Sequence, residues 1–189
     1  MQDSSTIEIS AASAAAICAR FKLDEKALPL LRDEMGSREF VEALLANKLY
    51  VAGIDFLAHG LPAREAVWWG CLCLQHACGS NLAAPDKAAA SAAVQWVLQP
   101  TEENRAASKA PAEKAGYSSA AGALARAANW TGGSLGPTDM PPVPPGPFMP
   151  AMAVATAIKF AAVKVEPAKI TGTQRLFVEL GIGVAEGRY

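Results

Sequence analysis

Three groups of side chains in this sequence have types and spacings that chemistry uses. The first is Asp55 and His59, four residues apart, with Glu65 a short step further on. At that spacing on a helix a carboxylate can orient an imidazole, which is the start of an acid–base site. No serine or cysteine nucleophile stands beside them in a recognisable motif. The plainer reading is a polar lid at a helix–helix turn, with His59 satisfying helix-terminal carbonyls. The second group is Cys71, Cys73, His76 and Cys78, whose thiol and imidazole groups suit zinc. On one straight helix Cys71 and Cys78 share a face while Cys73 lies about 160° away. Four ligands cannot converge from such a helix, so these are expected to be buried structural thiols. No metal or other cofactor is expected. The third group is Gly132-Gly133-Ser134-Leu135-Gly136. It lacks the Lys-Ser/Thr and the preceding strand of a phosphate loop, and reads as a backbone turn beside Trp130.

A fourth feature carries no reactive group but has the sharpest local pattern. Pro141, Pro142, Val143, Pro144 and Pro145 enforce an extended, polyproline-II-like path. In one reading this run is a contact for another protein, offered as a preformed strand. In the other it is a strap laid over the domain's own tryptophans, covering an apolar groove. The two are compatible if one side of the strap is buried.

The elements that must position these groups are helices. The stretch AHGLPAREAVWWGCLCLQHACG, from Ala58 to Gly79, is apolar nearly all round from Ala66 onward, which marks a buried central helix over Pro62–Cys78. Pro62 suits its first turn and Gly79 its stop. Gly70 costs helix propensity and implies close approach of a neighbouring helix. Before it, residues 1–9 read as a flexible tail. Ser10 can cap a helix through Phe21, Asp24 a short one to about Met35, and one long helix runs from Ser37 to about Ala58. The short turn at His59-Gly60-Leu61 predicts that this helix and the central one are antiparallel neighbours. After it, Pro85 starts a helix that Pro100 closes, and Thr101 caps a polar helix that Pro111 interrupts. Ser118 or Ser119 starts an alanine-rich helix ending near Trp130. Residues 131–150 form the Gly/Pro-rich strap. Helices then run from Met149 to Val165 and from a cap at Thr171 or Thr173 to the end. The expected fold is an all-α, single-domain bundle of about seven to eight helices over residues 10–187, with an extended proline-rich strap.

Composition narrows the function classes. The chain has 189 residues, half of them hydrophobic, with a net charge of −1. Acids and bases are interspersed, which argues against nucleic acid and against acidic membranes as partners. The amino-terminal MQDSSTIEIS is polar and acidic, unlike a signal peptide, and no stretch reaches membrane-spanning length. A cytoplasmic protein with reduced thiols is expected.

Four stretches carry a resemblance: YVAGIDFLAHGLPAREAVWWGCLCLQ, QPTEENRAASKAPAEKAGYSSAAGALARAANWTGGSL, PPVPPGPFMPAMAVATAIKFAAV and FVELGIGVAEGR. Over about residues 40 to 187 the chain resembles an uncharacterised, all-helical proteobacterial family often encoded near type VI secretion genes. Those genes specify spike (VgrG-like) proteins, PAAR-type tip proteins and thiolase-like translocation proteins. The resemblance lends no catalytic residues. It implies a non-enzymatic adaptor or chaperone-like accessory that helps load an effector or spike-tip protein. Contacts are then expected at Trp130, Gly132, Gly133 and the Pro141–Pro145 run. The alternatives are an immunity protein for a neighbouring toxin and a small enzyme using Asp55, His59 and Glu65.

Overall fold

The structure is a computed structural model, and it describes residues 13–136 and 139–189. The expected tail over residues 1–9 and the Ser10 cap lie outside the described residues. Within them the chain is helical, without strands: α1 (Ala14–Cys18), α2 (Ser37–Ala46), α3 (Tyr50–Gly60), α4 (Ala63–Cys78), α5 (Ala84–Leu98), α6 (Glu102–Ala107), α7 (Lys109–Ala115), α8 (Ala120–Asn129), α9 (Met149–Ala162) and α10 (Ile170–Ala185). The all-α bundle expected from the sequence is the fold observed. No described helix is long and apolar enough to cross a membrane.

The centre is where the apolar pattern put it. Helix α4 packs against α5, α8, α9 and α10. Trp69 on it is fully buried, and its indole N–H donates to the Phe177 carbonyl of α10 at 2.7 Å. A Cβ at Gly70 would fall 2.2 Å from a methyl of Leu124, so α8 crosses α4 where only hydrogen fits. Trp68, the neighbouring indole, is half-buried beside Leu72, Leu82 and Val94.

Several expectations are corrected. The long helix from Ser37 is divided at Asn47–Leu49, because Lys48 takes the left-handed conformation at φ 59°. The segment after Asp24 makes only a short 3₁₀ turn at Leu28–Leu30; the Asp24 carboxylate accepts from the Lys26 N–H and closes a local turn, and Pro29 has no N–H to extend a helix. Helix α1 is capped by Ser13 and stops at Cys18. Helix α9 stops at Ala162, and α10 begins at Ile170 behind a 3₁₀ turn, so Thr173 is buried inside it rather than capping it. Helices α3 and α4 are not side-by-side antiparallel partners. Leu61 and Pro62 are both extended, with ψ near 150°, and α9 and α10 each pack on both helices instead.

Four arginines close helix ends. Arg20 donates to the His59 carbonyl at the end of α3, and Arg64 to Val97 at the end of α5. Arg126 donates to Gly116 just past α7, and Arg105 to Asn129 at the end of α8. Each cation meets carbonyls that lack an intrahelical partner, at the negative pole of the helix dipole.

Candidate functional site

The last turns of α3 carry Asp55 and His59, as their spacing required, but the two side chains do not pair. The Asp55 carboxylate lies 2.7 Å from the Lys159 ammonium of α9. The His59 ring bonds to the Asp55 backbone carbonyl at 2.8 Å through Nδ1. A carbonyl can only accept, so Nδ1 carries the proton and Nε2 presents a lone pair. That Nε2 has no hydrogen-bond partner, and His59 is only 4 % exposed. The ring stacks on Phe21 at 4.7 Å and tilts against Phe148 at 6.4 Å. Burial holds the imidazole below its ordinary pKa; the Asp55 carbonyl pulls the other way, and Lys159 and Arg20 reinforce the lowering. Glu65, near the start of α4, is half-buried and lines neither of the clefts in which Asp55 and His59 sit. The expected Asp–His–Glu constellation is therefore divided among separate environments. The carbonyl that the His59 ring bonds, that of Asp55, lies one turn back inside α3, before the four terminal carbonyls of the helix.

The cysteines lie in the core. Cys71 and Cys73 are buried and Cys78 half-buried. Burial pushes the Cys71 thiol up to about 12 and Cys73 higher than its ordinary value, so both are held as neutral thiols, unreactive as nucleophiles.

The strap is built from residues far apart in sequence. Arg105 reaches from α6 across to the end of α8. Its Nε and Nη2 donate to the two Glu102 oxygens, each at 2.6 Å, and its Nη1 to the Asn129 carbonyl, also at 2.6 Å. The Asn129 amide returns a bond to the Arg105 carbonyl at 3.0 Å. The guanidinium holds the Glu102 carboxyl below the usual carboxylate range. Gly133, at φ 72°, lies on the face of that guanidinium: a Cβ there would stand 2.2 Å from Nη2. Trp130 is half-buried and packs against the core. Beyond Gly133 the Ser134 hydroxyl accepts from the N–H groups of Gly136 and Val143, and Leu135 N–H donates to the Val143 carbonyl at 2.8 Å. These bonds tie the start of the strap to its middle.

The outward side of the strap is bare. Pro141, Pro142, Val143 and Pro144 are all exposed, Val143 to 54 %. Pro145, the last of the run, is half-buried. At its far end Pro147 and Phe148 meet α3 and α4 beside His59.

A family model describing a family of unknown function, DUF6931, matches residues 40–185. The chain belongs to that family. No curated protein and no solved structure matches it. Within the DUF6931 region, the stretches around Glu102–Arg105 and Asn129–Gly133 interlock through one guanidinium. Arg20 and Phe21, which complete the surroundings of His59, lie outside it. Sequence reading singled out the Gly132–Gly133 turn but missed Arg105, whose only local signal was Glu102 three residues earlier. It also missed Arg20, Lys159 and Phe148, which reach His59 and Asp55 from other elements and leave no local signal.

Proposed function

We propose that this protein is a non-enzymatic adaptor, a chaperone-like accessory that holds a protein partner through the strap over residues 131–150. The observation that carries this reading is where exposed apolar side chains gather. Leu135, Met140, Val143, Phe148 and Met152 are all exposed, Met140 to 60 % and Met152 to 58 %, within one segment. Clustered exposed apolar groups mark interaction surfaces. The segment is also anchored, by Arg105 under Gly133 at one end and by helix α9 at the other. An anchored strand loses little conformational entropy when a partner closes on it. Its prolines fit a groove lined with aromatic side chains, the usual receptor for such runs.

The resemblance to a proteobacterial family encoded beside type VI secretion genes supplies the partner class. We place the protein in the bacterial cytoplasm, acting on an effector, a PAAR or VgrG-like spike component, or a thiolase-like protein. The division of Asp55, His59 and Glu65 supports the adaptor reading over the small-enzyme one. Trp130 and the Gly132–Gly133 turn set the direction of the strap, and Pro141–Pro145 make the contact. Tagged protein isolated from cells expressing the secretion system is expected to bring one such component with it in stoichiometric amount. Clean isolation without any of them would contradict the proposal.

A further inference from the structure

A cleft of about 270 Å³ lies between α4 and α5, lined by Trp68, Leu72, Leu82 and Val94 among others. These four are half-buried, so the cleft opens to solvent, and no charged side chain lines it. Among the described residues no part of the strap lines it either. In another protein an apolar cavity of about 150 Å³ admits benzene, so this cleft has room for about two proline rings. Its two tryptophan neighbours in sequence differ. The Trp69 indole N–H is spent on the Phe177 carbonyl, whereas that of Trp68 bonds to no described residue and is not sealed in the core. An aromatic wall with an apolar face and a spare donor suits a proline run, whose rings pack on the indole and whose carbonyls accept.

The strap offers what such a wall takes. Pro141, Pro142, Val143 and Pro144 are exposed, and the carbonyls of the three prolines accept from no described residue. Asp139 is the one charged residue between Arg126 and Lys159. An uncharged strand and an uncharged cleft can close on each other without burying an unpaired charge. The area also fits. With the exposed prolines, Leu135, Met140, Val143, Phe148 and Met152 present roughly 650 Å² by their fractional exposures, above the roughly 300–600 Å² of the largest apolar patch on a typical monomer. A stable interface takes about 800 Å² from each partner. A strap alone falls short of that; a copy that gives both its strap and its cleft comes close to it.

We infer that two copies of this chain pair reciprocally, the Pro141–Pro144 run of each lying in the Trp68 cleft of the other. A single strap in a single cleft leaves one strap and one cleft free and builds open chains; the reciprocal arrangement closes as a two-fold dimer. The inference rests on the strap being a contact surface, as the proposed function has it, and names one receptor for it. The pair keeps the strap covered until another partner displaces it. The test uses pure protein, so its failure leaves the adaptor reading to its own isolation experiment.

Sedimentation of the full chain is expected to show a monomer–dimer equilibrium with a Kd of about 10 µM or tighter. Trp68→Ala is expected to weaken the dimer at least about tenfold, with the helical circular dichroism unchanged. Leu82→Ser, in the loop between α4 and α5, is expected to do the same, and it carries the test if Trp68→Ala does not fold. The contact is located by crosslinking. Met140→benzoylphenylalanine places a photoreactive group next to the run, in an equal mixture of isotope-labelled and unlabelled chains. Crosslinked peptides joining position 140 of one isotope to residues 68–94 of the other are expected. A chain that stays monomeric overturns the inference. So does a folded variant of either kind that dimerises as the unaltered chain does, or mixed-isotope crosslinks that join strap to strap and avoid residues 68–94.

Discussion

His59 makes the stability of the protein depend on pH in a direction that can be worked out. In the folded chain its imidazole is held neutral by burial, below its ordinary value of 6.5. The unfolded chain takes up a proton near 6.5, so below that pH the unfolded state binds more protons. The stabilising contribution is complete above 6.5 and is lost as the pH falls from there toward the folded-state value. Thermal unfolding is expected to show a larger drop in Tm between pH 7.5 and pH 5.0 for the unaltered chain than for His59→Phe; equal drops would contradict it. Glu102 and Glu186 are held below the ordinary 4.5 by Arg105 and by Arg38, so their losses come only at lower pH. At Gly133 the conformation and the guanidinium act together. Gly133→Ala combines a positive φ with a Cβ inside the Arg105 contact, and is expected to cost about 2 kcal/mol in urea denaturation. A change below about 0.5 kcal/mol would mean that Arg105 moves aside freely.

At the scale of elements, the crossing of α4 and α8 rests on Gly70. Gly70→Val is expected to destabilise the fold by about 2–3 kcal/mol, since Leu124 opposite is fully buried and has no room to retreat. Adding Leu124→Ala is expected to recover part of that loss, measured as a double-mutant cycle; strict additivity would show that the two do not meet. The arginine caps predict a smaller effect: Arg64→Met strips a donor from the Val97 carbonyl and is expected to cost about 1–2 kcal/mol by the same method. These elements also show what the sequence could and could not tell. The cap at Thr101, a serine cap at Ser118 or Ser119, which the structure gives to Ser119, the start at Pro85 and the close approach at Gly70 were legible, because each depends on residues within one turn or on a missing side chain. The division at Lys48 was not, because the apolar pattern runs straight through it and only tertiary packing selects a left-handed lysine. Asp55 and His59 had the spacing of a pair, yet Lys159, remote in the chain, claims the carboxylate. The strap's position was legible in its prolines. Its anchoring was not, since Arg105 and Gly133 meet only after α6 and α8 pack together.

The whole molecule divides into a packed helical body and one exposed, anchored segment, which the proposed function makes the contact for a partner. That separation predicts that the strap can be rewritten without harming the fold. Replacing the exposed Pro141, Pro142, Val143 and Pro144 and the half-buried Pro145 with Ser or Gly is expected to leave the thermal midpoint within a few degrees. The most direct measurement compares that variant with the unaltered chain as tagged baits in cells expressing the secretion system, read by quantitative mass spectrometry. The account predicts a stoichiometric secretion component on the unaltered chain and its loss from the folded variant. The same component retained equally by both would contradict the strap as the contact, and none on either would contradict the adaptor itself.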